Sequence, residues 1–404
     1  MKTKFINTET ARNLLNEYGS PLYVYDEKTL REMAKKASSF LDGHDIKYKC
    51  HYAVKANSNL HLLKIIREEG LYVDSMSLGE LTIVEKAGFM NNEILYVANN
   101  ISEEEMKVVA SKDILMVFDS ISQVETFGKN HPNKDIMIRI NPGILGVGHS
   151  KHVVTAGEKT KFGISEDLFE ELKESNKRYN LSSIGLHQHL GSLFLNEKID
   201  NYINGVEKML KLAHNFPDLK IIDLGGGFGI PYKPEEKELN FDLLNSKLVP
   251  LLKEFLSTYG EAEFIFEPGR IVVAEAGVLL GTTTAIKKNM GTTYIGTDIG
   301  MGILERPSRY ESYHHIEVLN NSKEEIIATI VGNICESCDV LGEDRKIKLP
   351  QINDPIIIYD AGAYGFSMSS NYTLRTKPME LLISSNKTRI IRKKERIEDL
   401  IDLF

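Results

Sequence analysis

Strand-like and helix-like segments alternate along residues 46–267, and this alternation is the feature that most restricts the fold of the chain. The first strand-like segment covers residues 46–54 and the last covers residues 263–267. Apolar strands separated by helices build a parallel sheet, and so regular an alternation favours a barrel over a doubly wound sheet. The sequence therefore predicts an α/β fold whose main domain, residues 29–269, is a (β/α)8 barrel of the TIM type.

The sequence changes character after Gly269. Residues 272–285 and 293–298 are β-rich, and few long helical stretches follow before the last segment. Near the start of the chain, residues 21–25 form an extended apolar segment that precedes the alternating region and can pair with strands from elsewhere. We therefore expect residues 270–404 to form a second, mostly β domain, and the N-terminal strand within residues 1–28 to join it.

Composition restricts the partners of the chain. The 404 residues carry a formal net charge of −8, so no basic excess exists to neutralise nucleic-acid phosphates or an anionic membrane surface. No apolar run reaches the roughly 18 residues of a membrane span, and the N-terminus lacks the apolar core of a signal peptide. The 3 cysteines are too few for a disulfide framework. We expect a cytoplasmic protein that binds a small molecule.

Lys55 stands at the end of the first barrel strand, directly after apolar residues. An ammonium buried there without a partner carries a large desolvation cost, so this lysine either has a partner or takes part in chemistry. The active sites of α/β barrels lie at the carboxyl ends of the strands, where a Schiff-base lysine is expected. Taken alone, the segment is more simply explained by a strand-end lysine that extends to solvent.

Three polar or glycine-rich clusters follow later barrel strands, at residues 189–192, 225–229 and 267–270. Glycines at such places let backbone amides approach a phosphate. A tight turn explains the second cluster, residues 225–229, equally well. This cluster also does not match the glycine pattern of dinucleotide-binding proteins. Glu267 would keep a pyridoxal ring protonated if it faced the ring nitrogen. His189 could stack on such a ring, and a satisfied core histidine is the alternative.

Nine motifs that occur in one order carry a family resemblance. They are YAVKAN (52–57), SLGEL (77–81), KFGI (161–164), HQHLGS (187–192), GGGFG (225–229), EPGR (267–270), CES (335–337), GAYG (362–365) and SMSSNY (367–372). With these motifs the sequence resembles the diaminopimelate decarboxylases, which are pyridoxal phosphate enzymes of the alanine racemase-like fold, also called fold type III. The resemblance covers nearly the whole chain, from about residue 20 to about residue 385.

The resemblance implies how the cofactor, pyridoxal 5'-phosphate, would be bound. Lys55 would hold it as a Schiff base, His189 would stack on the ring, and Glu267 would pair with the pyridine nitrogen. The residues that would bind the phosphate or lie beside the cofactor are Ser192, Gly227, Gly269, Arg270 and Tyr364. No metal is implied. Cys335 and Cys338 have the spacing of a zinc or redox pair, but a second ligand pair is missing nearby.

The resemblance also implies the residues that would act on the substrate. Arg270, Arg306 and Tyr310 would grip the carboxylate remote from the reaction, a task that suits the fork of arginine. Glu336 would bind the distal ammonium, and Cys335 would donate a proton to the α-carbon. Further substrate contacts would come from Tyr364 and Tyr372. Because Cys335 and Glu336 enter the active site of the neighbouring subunit in this family, the resemblance implies a homodimer.

The reaction implied is decarboxylation of meso-2,6-diaminopimelate at its D centre to L-lysine and CO2, the last step of lysine biosynthesis. Four positions depart from the usual family pattern: Leu193, Gly302, Arg309 and Cys338. None of them removes a catalytic group, but Arg309 adjoins the substrate-reading segment and leaves the substrate open. Residues 143–160, with their glycines and polar side chains, are the candidate for a lid over the site.

Other functions remain to be weighed. A sister decarboxylase of the same fold would act on ornithine, arginine, carboxynorspermidine or a carrier-bound glutamyl group. The Cys-Glu-Ser motif argues against an amino-acid racemase of this fold. A catalytically inactive homologue that regulates a decarboxylase is a further alternative, and retention of both Lys55 and Cys335 argues against it.

Overall fold

The structure, a computed structural model, describes residues 5–97, 99–143, 147–148, 157, 160–385, 387–402 and 404. The candidate lid, residues 143–160, therefore lies largely outside the described residues. Contacts divide the chain into two compact units. The barrel unit comprises Ala34–Ile230 and Lys237–Ile271, and the sheet unit comprises Met1–Met33, Pro231–Glu236 and Val272–Phe404. Inclusion of the short segment Pro231–Glu236 in the sheet unit has no counterpart in the domain boundaries expected from the sequence.

The barrel unit contains a closed barrel of parallel strands, which confirms the predicted (β/α)8 architecture. The ring closes where the last strand pairs with the first, with Phe264 opposite Tyr48. Most strand residues are buried, as expected when one face lines the barrel interior and the other packs on helices. The barrel strands are Tyr48–Ala53, Tyr72–Ser75, Ile94–Val97, Leu115–Phe118, Asp135–Arg139, Ser182–His187, Ile221–Gly226 and Glu263–Glu267.

Helices connect successive barrel strands. They are Leu60–Glu68, Leu78–Ala87, Glu103–Ser111, Ile121–Asn130, Phe169–Tyr179, Ile199–Ala213 and Phe241–Tyr259. The remaining α-helices of the described chain are Thr8–Tyr18, Glu27–Ser38, Arg270–Val273, Arg306–Tyr310 and Ile397–Ile401. None of the helices in the described ranges combines the length and the apolar character needed to cross a membrane.

The helix Leu78–Ala87 shows how local sequence fixes the chain beside a strand end. The Ser77 hydroxyl accepts the backbone N–H of Glu80 at 3.1 Å, and the Glu80 carboxylate accepts the N–H of Met76 at 2.8 Å. The first bond satisfies a donor that the first helical turn leaves without a partner, and the second ties the helix to the residue before its N-cap. The helix ends at Gly88, whose φ of 101° is left-handed and suits glycine. The caps therefore hold the Glu80 carboxylate close to the end of the preceding barrel strand.

The sheet unit contains a nine-stranded sheet that incorporates the N-terminal strand, as expected. Leu22–Asp26 pairs antiparallel with Gly277–Asn289 and parallel with Met379–Ser384. The first of these partners begins later than the expected β segment at 272, because the helical turn Arg270–Val273 precedes it. The other strands of the sheet are Thr292–Thr297, Ile316–Val318, Glu325–Val331, Val340–Lys348, Pro355–Ile358 and Lys387–Arg392.

The core of the sheet unit forms around this N-terminal strand. Leu22 and Val24 are buried together with Val278, Ile357 and Leu381. These apolar side chains come from the first, middle and last parts of the unit's sequence. Their burial explains why the short segment at the start of the chain is retained in a sheet built mostly from the C-terminal third.

Candidate active site

Ionisable side chains gather at the carboxyl ends of the barrel strands. Lys55 lies in the 3₁₀ turn Val54–Ala56 that directly follows the first strand. Asp74 lies near Lys55, because Asp74 pairs with Ala53, two residues before Lys55, in the neighbouring strand. Glu267 is the last residue of the eighth strand. Parallel strands deliver their ends to one face of the barrel, so residues distant in sequence meet there.

Glu267 is a buried carboxylate that contacts a histidine. One oxygen lies 3.3 Å from Nε2 of His187, and the side chain is 3% exposed. Burial acts to raise the pKa of Glu267, but His187 and Lys55 outweigh burial and hold the pKa well below its usual range. Glu267 is therefore an anion in a site shielded from water. Such an anion can hold a proton on a neighbouring aromatic nitrogen.

His189 is held as a neutral imidazole. Its Nδ1 accepts the backbone N–H of Gly226 at 3.3 Å, which places the ring proton on Nε2. Burial is the largest influence on this ring and lowers the pKa of His189 to about 4. A neutral ring can lie against another aromatic ring without the cost of burying a charge. The structure thus gives His189 the protonation state that its expected stacking role needs.

Two further acids at the strand ends were not singled out from the sequence. Oδ1 of Asp223 accepts the N–H of Gly225 at 2.9 Å, and burial followed by the charge of Glu267 raises the pKa of Asp223 well above its usual value. Burial likewise raises the pKa of Asp74, although Lys55 acts in the opposite direction. Burial therefore favours the protonated form of both carboxyls. The sequence feature that could have identified these two acids is the presence of an acidic residue inside or at the end of an apolar strand segment.

The same cluster has the spacing of a metal site. Among the described residues, His187, Asp223 and Glu267 each offer one ligand atom, and these atoms lie within 4.8 Å of one another. Hard cations prefer several ionised oxygen ligands, whereas the raised pKa of Asp223 leaves Glu267 as the ionised acid of this group. The chemistry favours a proton shared among these groups over a cation. The expectation that no metal is bound stays a prediction.

The glycine cluster has no room for side chains. A Cβ on Gly226 would lie 2.0 Å from the carbonyl oxygen of Glu267, and one on Gly225 would lie 2.4 Å from that of Gln188. Gly227 has a φ of 101°, and its Cβ would lie 2.7 Å from the carbonyl oxygen of Gly191. Only glycines fit this close approach of backbone segments. The glycines therefore let neighbouring backbone segments pack directly against one another at the strand ends.

Ser192 and Arg270 form a polar contact that can bind an anion. Nη2 of Arg270 donates to Oγ of Ser192 at 3.0 Å, and Arg270 is 6% exposed. The serine oxygen therefore accepts from the arginine, and its own O–H can donate to another acceptor. A guanidinium and a hydroxyl at one place provide both charge and hydrogen bonds for an anion.

The other residues expected at the site belong to the sheet unit. Arg306 and Tyr310 are the first and last residues of one short helix. The hydroxyl of Tyr372 donates to the carboxylate of Glu336, so the structure brings these two expected substrate contacts together. Cys335 is an exposed free thiol in the same loop as Glu336. Separately, Tyr364 has a φ of 56°, in the left-handed region.

Three of the positions that depart from the family pattern, Arg309, Cys338 and Leu193, have the following surroundings in the structure. Arg309 forms an ion pair with Glu305 of its own helix at 2.9 Å, and its side chain is 56% exposed. Sγ of Cys338 lies 3.9 Å from Sδ of Met301. Leu193 has a φ of 66°, an uncommon conformation for a leucine. The presence of Arg309 is thus explained by an ion pair at the protein surface, without a contact to the substrate.

Comparisons with known proteins identify the family. A profile described as "Pyridoxal-dependent decarboxylase, pyridoxal binding domain" matches residues 28–274. The chain is 36% identical over 403 residues to the diaminopimelate decarboxylase of Methanothermobacter thermautotrophicus, covering 97% of this chain and 93% of that protein. The chain belongs to the diaminopimelate decarboxylase family. This finding confirms the resemblance drawn from the nine motifs.

Solved structures of this family have the same fold. A crystal structure of diaminopimelate decarboxylase matches with a TM-score of 0.90 at 29% identity, covering 99% of this chain and 98% of that chain. The diaminopimelate decarboxylase of Helicobacter pylori complexed with L-lysine matches with a TM-score of 0.88 at 30% identity, covering 97% of this chain and 98% of that chain. The barrel with a separate sheet unit is thus the fold of the family.

The cofactor of the family is pyridoxal phosphate, and the residues of the barrel unit fit it. The guanidinium of Arg270 and the hydroxyl of Ser192 lie together and suit the phosphate. The ionised Glu267 suits a ring nitrogen that must stay protonated. Lys55 lies among these groups, since its charge acts on the pKa of both Asp74 and Glu267. An amine, an anion and a polar pair that can bind a phosphate are the three features that this cofactor requires.

Proposed function

We propose that this chain is a pyridoxal phosphate-dependent carboxy-lyase that converts meso-2,6-diaminopimelate to L-lysine and CO2 by removing the carboxylate of the D centre. The observation that carries the proposal is the buried, ionised Glu267 beside Lys55 in a chain of this family. The L-lysine bound to the Helicobacter pylori relative supports the identity of the product. The reaction would complete the biosynthesis of lysine.

The barrel residues have distinct tasks in this reaction. When bound, pyridoxal phosphate supplies an aromatic ring that withdraws the electrons left when CO2 departs. Lys55 provides the amine that holds the cofactor, and Glu267 keeps the proton on the ring nitrogen. His189, neutral and buried, packs against the ring face. Ser192, Gly227, Gly269, Arg270 and Tyr364 bind the phosphate or lie beside the cofactor.

The remaining residues select the substrate. Arg270, Arg306 and Tyr310 bind the carboxylate that is retained. Burial of Arg306 supports this task, because a charge pair in a medium of low polarity is stronger than one in water.

The other end of the substrate meets different groups. Glu336 binds the distal ammonium, and the hydroxyl of Tyr372 supports that role by holding the Glu336 carboxylate in place. Tyr364 is a further contact. Cys335 donates the proton that replaces CO2 at the α-carbon. Together these groups would favour a substrate that carries charge at both ends.

We further propose a homodimer in which Cys335 and Glu336 act in the site of the neighbouring subunit. Cys335 is exposed in the single chain, whereas proton delivery to a carbanion requires a site shielded from water. Mixing Lys55→Ala with Cys335→Ala subunits tests this arrangement. Random pairing should restore about a quarter of the wild-type activity, because half of the dimers then hold one intact site. Failure to restore activity while dimers form would contradict shared sites.

The substrate assignment is tested by CO2 release from the cofactor-loaded protein. The candidates to compare are meso-diaminopimelate, ornithine, arginine and lysine, each with detection of the amine product. We expect preferential turnover of diaminopimelate, with L-lysine formed in equal amount to CO2. CO2 release from ornithine or arginine, with none from diaminopimelate, would overturn the substrate and assign a sister decarboxylase. Arg309 is then the first residue to exchange.

A further inference from the structure

Arg306 is held by three uncharged groups of the sheet unit. Its Nη1 lies 2.7 Å from Nε2 of His314, and its Nη2 donates to Oγ of Ser312 at 3.3 Å. The guanidinium carbon lies 4.6 Å from the ring centre of Tyr232, within the range of a cation–π contact. Arg306 is 1% exposed and His314 is 0% exposed. These contacts orient the guanidinium.

The hydrogen bonds of His314 determine its tautomer. The Nδ1 atom lies 2.9 Å from the carbonyl oxygen of Tyr359, which can only accept. Nη1 of Arg306 can only donate, because the guanidinium stays protonated in proteins. His314 must therefore donate through Nδ1 and accept through Nε2. The neutral tautomer protonated on Nδ1 is the one form that satisfies both contacts.

Tyr359 and Tyr232 fix the plane of this imidazole. Tyr359 directly follows the strand Pro355–Ile358, and its own N–H donates to the carbonyl of His315 at 3.0 Å. The ring of Tyr232 meets the ring of His314 edge-on, with 5.2 Å between their centres. The imidazole is thus attached to the sheet on one side and covered by an aromatic ring on another. It can transmit this fixed geometry to Arg306.

We propose that His314 is a positioning residue for substrate recognition. By accepting from Nη1, it fixes the rotation of the Arg306 guanidinium, so that the fork meets the retained substrate carboxylate in its plane. A two-point contact between arginine and carboxylate depends on that plane. A neutral partner suits the task, since a second cation would oppose the charge that attracts the carboxylate. The inference rests on the proposed function of Arg306.

The test compares two ligands that differ only in this carboxylate. L-lysine carries the carboxylate that Arg306 would bind, and cadaverine is the same molecule without it. Their inhibition constants against diaminopimelate turnover are measured for the cofactor-loaded wild type, His314→Met and His314→Gln. We expect His314→Met to weaken L-lysine by about 10- to 100-fold, the range for a disturbed hydrogen bond to a charged group, and cadaverine by less than about twofold.

His314→Gln is the matched control. Its amide oxygen can still accept from the guanidinium, so we expect the ratio of the two inhibition constants to return to within about threefold of the wild type. The KM for diaminopimelate should rise in His314→Met more than kcat falls, because substrate binding is the property affected. A purely structural role of His314 would weaken both ligands alike and would leave the ratio unchanged.

An unchanged ratio in folded, cofactor-loaded His314→Met would overturn the positioning role. If that variant does not fold, His314→Asn replaces it, because its shorter side chain withdraws the acceptor from Nη1. It should then weaken L-lysine selectively as well, and equal effects on both ligands would overturn the proposal. A wild type that does not decarboxylate diaminopimelate contradicts the proposed function itself. Wild-type turnover with an unchanged ratio contradicts only the role of His314.

Discussion

Glu267 and Asp223 provide a direct comparison of an ionised and a protonated carboxyl in one site. His187 and Lys55 hold the pKa of Glu267 well below its usual range, whereas burial and then Glu267 raise that of Asp223. Replacement of either carboxyl by its amide keeps the shape of the side chain. Glu267→Gln removes a charge, and Asp223→Asn exchanges one neutral group for another. The two variants should therefore differ sharply in their effects.

The expected magnitudes follow from this difference. Loss of a charged hydrogen-bond partner for the ring nitrogen should weaken cofactor binding by about 1.5–3 kcal/mol, or about 10- to 100-fold. Turnover of diaminopimelate should fall by about 100- to 1,000-fold, the effect of removing one preorganised electrostatic group from an active site. Asp223→Asn should change turnover by less than about threefold, since the amide is neutral like the protonated acid.

The measurements are titration of the cofactor-free protein with pyridoxal phosphate, followed by absorbance, and initial rates of CO2 release. Circular dichroism and thermal unfolding establish that both variants retain the fold. Turnover by Glu267→Gln within about threefold of the wild type would refute the assigned charge. An Asp223→Asn variant as impaired as Glu267→Gln would refute the protonated state of Asp223.

Two more substitutions and one pH series probe the site. Lys55→Ala should abolish turnover and the visible absorbance of the bound cofactor while leaving the circular dichroism spectrum intact; residual turnover would contradict the Schiff-base role. Cys335→Ala should lower kcat by more than it lowers cofactor affinity, and unchanged kcat would exclude the thiol as proton donor. The pKa of Asp223 is higher in the folded protein than in the unfolded chain. The wild-type protein therefore loses stability as the pH rises above the pKa that this carboxyl has in the unfolded chain. Thermal unfolding of Asp223→Asn should therefore show a stability relative to wild type that increases as pH rises above about 4.

The sequence predicted those parts of the site that depend on the succession of strands and helices along the chain. Alternating segments predicted the barrel, and the strand-end positions of Lys55 and Glu267 follow from the rule that active sites of barrels lie at that end. The protonation of Asp223 was beyond reach, because it depends on burial and on a carboxylate from the neighbouring strand. The tautomer of His314 depends on the carbonyl of Tyr359, far along the chain, and no local pattern encodes that pairing.

The N-terminal strand has a consequence for how the protein is made. Leu22 lies opposite Leu280 in one neighbouring strand and opposite Met379 in the other. A ribosome therefore releases this apolar segment long before either neighbour exists, and the whole barrel is translated in the interval. The segment must be kept from aggregating during that time, by the growing chain or by a chaperone. A premature stop shortly before Met379 would leave the N-terminal strand with one of its two neighbours and with its other edge unpaired.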